Sequence, residues 1–497
     1  MNVIDKLLEP FAPVTVARRL AARQAIQAYE AARPTRTHRA NSEPRSGNEA
    51  VRLAGKALRE QARYLDENHD IVTGLFDRLE ERVIGKGINV EPIPLNIDGT
   101  VNETLRAQIK MAWGEWSVRP EVTRTHTRPE VERMVCRTWL RDGEAFGNHI
   151  VGAYAGLEFP TRIEYALEIL EPDYLPLQYH DANRLIRQGI EFNAWGRPVA
   201  YHVHKTHPAD TIALESDLKR IPAAYISHIA NRKRIGQARG VSLLHPALIR
   251  LADLKDYEES ERVAARIAAA LTLFIKKGDS GMYGSGAVDG QDTATGARSI
   301  PIAPGMVFDG LQPGEDVGTL ESNRPSALLE GFRDAMLRAV AAGTRVGYST
   351  LSRNYNGTYS AQRQELVEAQ AGYVLLQERF IDQWARDVYR RWLPAAISSG
   401  AITVPPSVNR STLSNAIYSG PVMPWIDPTK EATAWRDLVA GGFATEHEVA
   451  RARGKDPAEL RAQRKSEIDA NRADGLVFDS DAFHKLGGAS NATTSND

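Results

Sequence analysis

Between Leu244 and Lys277 the apolar residues Leu244, Leu248, Leu251, Leu254, Tyr257, Ala264, Ile267, Leu271 and Phe274 recur mostly every three or four positions, the spacing of one helix face. A helix of about 30 residues is about 45 Å long at about 1.5 Å per residue, more than a small domain covers alone. Such an element needs neighbours along its whole length. This requirement bounds what the chain can fold into more tightly than any other feature of the sequence.

The flanking segments give that helix its context. Residues 278–325 are rich in Gly and Asp and carry seven acids against Arg298 and Arg324, with short extended runs at Ser299-Ile-Pro-Ile and Met306-Val-Phe. A shorter helix is expected from Ser326, a candidate N-cap, to Ala342, with Gly343 as its stop. Polar residues and glycine fill Gly347 to Thr358. Another long helix should follow, with Leu366, Tyr373, Leu376, Phe380, Trp384, Val388 and Trp392 on one stripe and Pro394 as its end.

Upstream, helical periodicity runs from Ala50 to Val83, with Val51, Leu53, Leu58, Tyr64, Ile71 and Leu75 available for a buried face, until Gly85 and Gly87 stop it. A helical pair is expected at Asn102 to Trp116 and Arg128 to Arg141. From Phe146 to His207 the period changes to alternation with turn signals, which predicts a small antiparallel β region. The fold class is therefore α+β and predominantly helical. Helices from Pro428 to about Ala473 form a tail domain, and residues 476–497 read as disordered.

Composition narrows the function classes. With 497 residues and 42% apolar content the chain can bury substantial cores in about two to four domains. Charge is balanced at 62 basic against 63 acidic residues, unlike a protein that grips nucleic acid through many phosphate contacts. Seven arginines against two glutamates between Ala17 and Arg45 suggest a solvated helix and a flexible arm, with a nucleic-acid-binding arm as the alternative. Cys136, the single cysteine, reads as core packing. No apolar run approaches the about 20 residues that span a bilayer, so no membrane partner is expected.

Motifs for catalysis are missing. The Gly-Lys pairs Gly55-Lys56, Gly85-Lys86 and Gly454-Lys455 are followed by Ala, Gly and Asp, not the Ser or Thr of a phosphate-cradling loop. Neither Gly-x-Ser-x-Gly nor His-Glu-x-x-His occurs. His202, His204 and His207 lie at strand spacing and could chelate a metal, but no carboxylate stands between them, and solvent-facing or interface histidines are the simpler reading. Glu258-Glu259 reads as a solvated or intersubunit face. No catalytic residue, metal or cofactor is assigned.

Several short stretches, weak singly, occur in a characteristic order: Asp142-Gly-Glu-Ala-Phe146, Leu170-Glu-Pro-Asp173, Gly189-Ile-Glu191, Gly196-Arg-Pro198, Tyr201-His-Val203, Gln237-Ala-Arg-Gly-Val-Ser242, Leu311-Gln-Pro-Gly-Glu315 and Tyr359-Ser360. Together they resemble the portal proteins of tailed bacteriophages, specifically the lambda-like branch, over roughly residues 45–475. The resemblance implies a flexible basic arm (1–45), an α/β wing (46–243), a first stem helix (244–277), a clip (278–325), a second stem helix (326–345), a tunnel loop (346–358), a long wing helix with linker (359–427), a helical crown (428–475) and a disordered tail (476–497).

It implies, too, a closed and usually twelvefold homo-oligomeric ring at the capsid portal vertex, through which double-stranded DNA is packaged and ejected. The partners it implies are the terminase large subunit, head–tail adaptors, and major capsid and scaffold proteins, with assembly in the bacterial host cytoplasm. Lys276, Lys277, Arg345, Arg353, Tyr355 and Asn356 become candidates for the DNA channel. Asp309, Glu315, Asp316 and Arg298 become candidates for motor or adaptor contact. The rival readings are a minor capsid or scaffold protein without a channel and a DNA-packaging enzyme.

Overall fold

The computed structural model describes residues 12–19, 43–210, 218–270, 274–277, 315–318, 329–423 and 427–476, with Phe478 and Asp481. Helix α1 (Gly47–Asn68) starts at Ser46, whose hydroxyl accepts the Glu49 amide. It does not run on to Val83 as its periodicity suggests. His69 takes an extended backbone conformation and its amide bonds Leu65 O, so that α2 (Asp70–Val83) begins as a separate helix. No Gly or Pro marks this break, which is why apolar spacing passes through it. Leu53 and Tyr64, expected inside, are exposed. The buried faces belong to Val51, Ala62, Leu65, Val72, Leu75, Phe76 and Leu79.

The strand β1 (Asn89–Pro92) leads to α3 (Glu103–Trp116), capped by Asn102, and then to α4 (Arg128–Asp142). In α4 the side chains of Thr127 and Glu130 close a capping box, which satisfies otherwise orphaned amides. Cys136 is fully buried there and burial pushes its thiol pKa well up, in keeping with a packing role. Helix α4 stops at Gly143 in a left-handed conformation (φ 98°), where a Cβ would lie 2.4 Å from the Val241 carbonyl carbon. Both constraints require glycine.

The β region is two antiparallel sheets. One has the order β3-β2-β8, from Tyr165–Leu170, Glu144–Val151 and Ile226–Ala230; the other is β4-β5-β6-β7, from Ile186–Arg187, Ile190–Phe192, Pro198–His204 and Leu218–Pro222. Helix α5 (Leu248–Ala270) follows and is shorter than expected, because Phe274–Lys277 is a strand, β9, paired antiparallel with β10 (Glu315–Gly318). The aromatic and β-branched pair Phe274-Ile275 favours the extended form found there. Ser326 lies outside the described residues, and α6 spans Leu329–Thr344.

After the short helix α7 (Tyr348–Ser352), α8 (Tyr359–Phe380) passes through a π-turn (Ile381–Ala385) into α9 (Arg386–Ser398). Pro394 does not end α9. It sits four residues before the helix end at Ser398, where its missing amide costs one hydrogen bond near the last turn. On this rod Tyr373, Leu376, Phe380, Trp384, Val388 and Trp392 are buried, while Leu366 is exposed. Trp392 meets Trp113 at 4.8 Å between ring centroids and Trp116 packs beside both. Aromatic packing therefore ties α9 to α3 in the main core. Strand β11 (Ala416–Ser419) returns to pair with β1. The last helices are α10 (Pro428–Ala440), α11 (Glu446–Ala452) and α12 (Pro457–Ala473); Asp456 at the start of α12 pairs with Lys110 at 2.8 Å.

A buried ion network joins the α1–α4 layer to the sheets. Glu144, wholly buried, accepts from Arg239 Nε at 2.8 Å, His228 Nε2 at 3.1 Å and the Gly240 amide at 2.9 Å. Despite the desolvation that opposes charging, Arg239 and His228 hold its carboxyl well below the usual range. Arg239 also donates to the carbonyls of Pro172, Leu175 and Gln188. Beside them Arg63 bridges Asp142 and Asp173, and Arg137 binds Asp66 and Glu80.

Removing one member of a buried pair leaves an uncompensated charge, so Arg239→Met should destabilise the protein by about 3–5 kcal/mol, and the additional change Glu144→Gln should recover part of the loss. Urea unfolding of the two variants checks this; equal stability of Arg239→Met and wild type would refute it. Acid should weaken the fold too. Burial lowers the His149 pKa to about 3 and that of His228 to about 4, against about 6.5 unfolded. The unfolded chain then binds more protons over this window, so stability is full above about pH 6.5 and declines as pH falls toward 4. Thermal melts across that range report the sign, and a midpoint that rises on acidification contradicts it.

Candidate nucleic-acid channel

The polar stretch expected as a loop, Gly347 to Thr358, is partly helical. Gly347 caps α7, and the Glu365 carboxylate, reaching from α8, accepts the Ser349 amide at 2.7 Å and its hydroxyl at 2.5 Å. A Cβ on Gly347 would lie 2.8 Å from Glu365 Oε1. Val346 and Leu351 are buried, and the Arg338 guanidinium lies over the Tyr348 ring. The first half of the stretch is thus packed against α6 and α8.

Only residues 353–358 project. Arg353 ends α7 in the left-handed region (φ 57°), which turns the chain outward. Asn354 Oδ1 accepts the Asn356 amide at 3.0 Å, the Gln362 side chain donates to Tyr355 O, and Thr358 caps α8. Arg353, Tyr355, Asn356 and Tyr359 are exposed together on this short, internally bonded turn. It offers one cation, two aromatic rings and an amide, groups that meet phosphates and bases without a deep pocket.

Arg345 does not join them. It stands in the left-handed region (φ 62°) after α6, with its Cβ 3.3 Å from where a Gly372 Cβ would be. Gly372 is 13 residues into α8 from Tyr359, about 20 Å along the helix. Lys276 and Lys277 lie on β9, and the register sets them opposite Asp316 and Glu315 of β10. The backbone register therefore gathers four sequence candidates into one antiparallel ladder. Asp309 and Arg298 lie outside the described residues.

The histidine trio does not converge. His202 is buried, not solvent-facing, and meets Glu191 at 3.3 Å, whereas His207 approaches Glu171 at 3.5 Å. Glu171, Asp173 and His207 offer ligand atoms within 4.8 Å of one another, but Asp173 is already bound by Arg59 and Arg63 at 3.2 and 2.5 Å. Glu258 pairs with Arg333 on α6, so it binds within the chain, while Glu259 stays exposed.

One arrangement that sequence spacing could not show is His149, Ser227 and Asp387. The Ser227 hydroxyl donates to Asp387 and accepts from His149 Nε2 at 2.7 Å, while His149 Nδ1 accepts from Tyr165 at 2.7 Å. Serine stands in the middle of this chain and the imidazole has no lone pair turned toward it. Ser227 is buried. The geometry is that of a sheet-to-helix tie and not of an activated nucleophile. Among the described residues no helix is long and apolar enough to cross a membrane.

Comparison with known proteins places these elements in a family. The model of phage portal proteins of the lambda family matches residues 33–377. The chain is similar to a probable portal protein of Halomonas phage phiHAP-1, 25% identical over 425 residues that cover 83% of this chain and 80% of the relative. It is similar to portal protein B of Escherichia phage lambda, 25% identical over 322 residues, 59% of this chain and 60% of that one. Among solved structures it is similar to a chain in the neck of a native gene transfer agent particle computed with C12 symmetry, with a TM-score of 0.45 and 13% identity, covering 88% of this chain and 99% of that chain. With the family model matching well over half of its length, the chain belongs to the lambda family of phage portal proteins.

Proposed function

We propose that the chain closes into a ring of about twelve subunits at one vertex of a tailed-phage capsid. The ring's axial channel passes double-stranded DNA during packaging and ejection. Family membership supports this reading, and so does one physical observation. Long helices whose inner faces already meet the core still carry exposed apolar side chains: Ile249 and Val263 on α5, Phe332 on α6, Val374 and Leu375 on α8. Neighbouring copies related by rotation would cover them, each lending one face and receiving another.

In this reading residues 46–243 and the α8–α9 rod form the wing, α5 and α6 the stem, and residues 278–325 the clip that docks the terminase large subunit and later the head–tail adaptor. Arg353, Tyr355 and Asn356 form the projecting part of the tunnel loop, and α10–α12 the crown. Major capsid and scaffold proteins surround the ring, which is assembled in the host cytoplasm. No step of this role requires catalysis.

Negative-stain imaging with mass by light scattering tests the proposal. Rings of about a dozen 54.9 kDa subunits with a hole wide enough for a duplex are expected; filaments or compact dimers would overturn it in favour of a minor capsid protein. Because α7 is packed while residues 353–358 project, deletion of Asn354–Gly357 should leave ring mass unchanged and lower the amount of DNA packaged or retained. Loss of rings in that variant would remove the loop from the channel.

A further inference from the structure

Five buried or half-buried arginines in the body of this protein, Arg59, Arg63, Arg137, Arg141 and Arg239, each bind a carboxylate. Lys233, Arg345 and Arg379 depart from that pattern. They come from three separate segments, the turn after β8, the left-handed residue after α6, and the end of α8. No carboxylate pairs with any of them among the described residues.

Their placement is fixed by backbone and side-chain ties. Arg345 lies against Gly372, and Arg379 is seven residues, two turns, further along the same face of α8. The Arg379 guanidinium donates to Asn231 Oδ1 at 3.4 Å. Asn231 is itself buried and doubly anchored, its amide to Gly143 O at 2.7 Å and its Nδ2 to Val241 O at 3.0 Å. Two residues on, the Lys233 amide is held by Gln237 Oε1 at 3.0 Å. Lys233 and Arg345 are exposed and Arg379 is half-buried.

The cations act on one another. Burial first, and then the positive charges of Arg345 and Arg379, lower the Lys233 pKa; burial and then Arg345 lower that of Arg379. Like charges held together without an acid cost folding free energy. A chain otherwise balanced to one charge keeps such a cluster most readily where an anion from outside relieves it. Two guanidinium forks and an ammonium supply many donors of one sign from three directions, which suits the several oxygens of a phosphate better than a single carboxylate.

We infer that Lys233, Arg345 and Arg379 form a phosphate-binding site that contacts the backbone of double-stranded DNA, separate from the projecting turn at residues 353–358. For its partner the inference rests on the portal reading. Arg345, about 20 Å along α8 from that turn, then belongs to a second contact with the duplex and not to the tunnel loop.

The test is the salt dependence of duplex binding by purified rings of wild type, Lys233→Gln, Arg345→Gln, Arg379→Gln and the charge-conserving Arg345→Lys, with ring mass measured in parallel. Each phosphate contact contributes about 0.9 to the slope of log K against log salt. The three neutral variants should keep the ring and show slopes shallower by at least about that amount, while Arg345→Lys keeps the wild-type slope. Melting midpoints of the neutral variants without DNA should not fall, since repulsion is relieved. Unchanged slopes with intact rings overturn the site. Loss of the ring in the neutral variants would mean that the cluster receives an acidic face of the adjacent copy, which overturns it as well. A wild-type ring that binds no duplex at low salt rejects the site alone, whereas a wild-type chain that forms no ring rejects the portal reading.

Discussion

The Glu144–Arg239 pair holds together parts of the chain that share no apolar core. Main-core helices α3, α4 and α9 pack around Trp113, Trp116, Trp139 and Trp392, whereas Phe146, Tyr201 and Ile221 form a second cluster under the β4–β7 sheet. Glu144 sits at the seam, at the first position of β2. Its partner Arg239 ties the turn after β8 to the carbonyls at Pro172, Leu175 and Gln188. A buried pair of this kind adds little net stability compared with apolar residues of the same size, but it tolerates few alternative arrangements. Here it specifies how the sheets are set against the helices.

That hub accounts for the ordered short motifs. In Asp142-Gly-Glu144, Asp142 receives Arg63 and Arg141, Gly143 makes the left-handed turn against the Val241 backbone, and Glu144 takes Arg239. In Leu170-Glu-Pro-Asp173, Pro172 O accepts from Arg239 and Asp173 binds Arg59 and Arg63. The stretch Gln237 to Ser242 brings Arg239 itself. Residues more than 90 positions apart are thus one polar cluster, and the sequence shows only their order. Local signals were legible where they are local: the helical pair at Asn102 to Trp116 and Arg128 to Arg141, and the change to strand period after Phe146. They failed where tertiary packing overrides propensity. His69 breaks a helix without Gly or Pro, and Leu53, Tyr64 and Leu366 sit on faces that periodicity marks as buried.

The candidate site was legible in outline only. Gly347 to Thr358 reads as a polar loop because α7 is five residues long and its anchor, Glu365, lies in the next helix. Arg345 and Arg353 look equivalent in sequence, one just before that loop and one within it, yet α7 separates them and α8 carries Gly372 about 20 Å beyond the projecting turn. Lys233 and Arg379 carry no local signal, since nothing in their neighbours distinguishes them from other surface cations. What brings them together is the packing of α8 against the turn after β8 and the end of α6, a property of three-dimensional neighbourhood.

A channel for DNA has to satisfy two opposed demands, and the charge distribution meets both. Strong neutralisation of phosphates would hold the duplex and oppose sliding, because every contact released returns counterions to the backbone. With 62 basic and 63 acidic residues, the chain carries almost no net charge, and its buried arginines are paired internally. The projecting turn carries one cation, and a small cluster stands elsewhere on α8. Copied around the proposed ring, each weak contact would recur at every subunit, so that a duplex leaving one would find the same geometry at the next. Affinity per contact could then stay low while the path stays continuous, a property that would belong to the proposed ring rather than to any single chain.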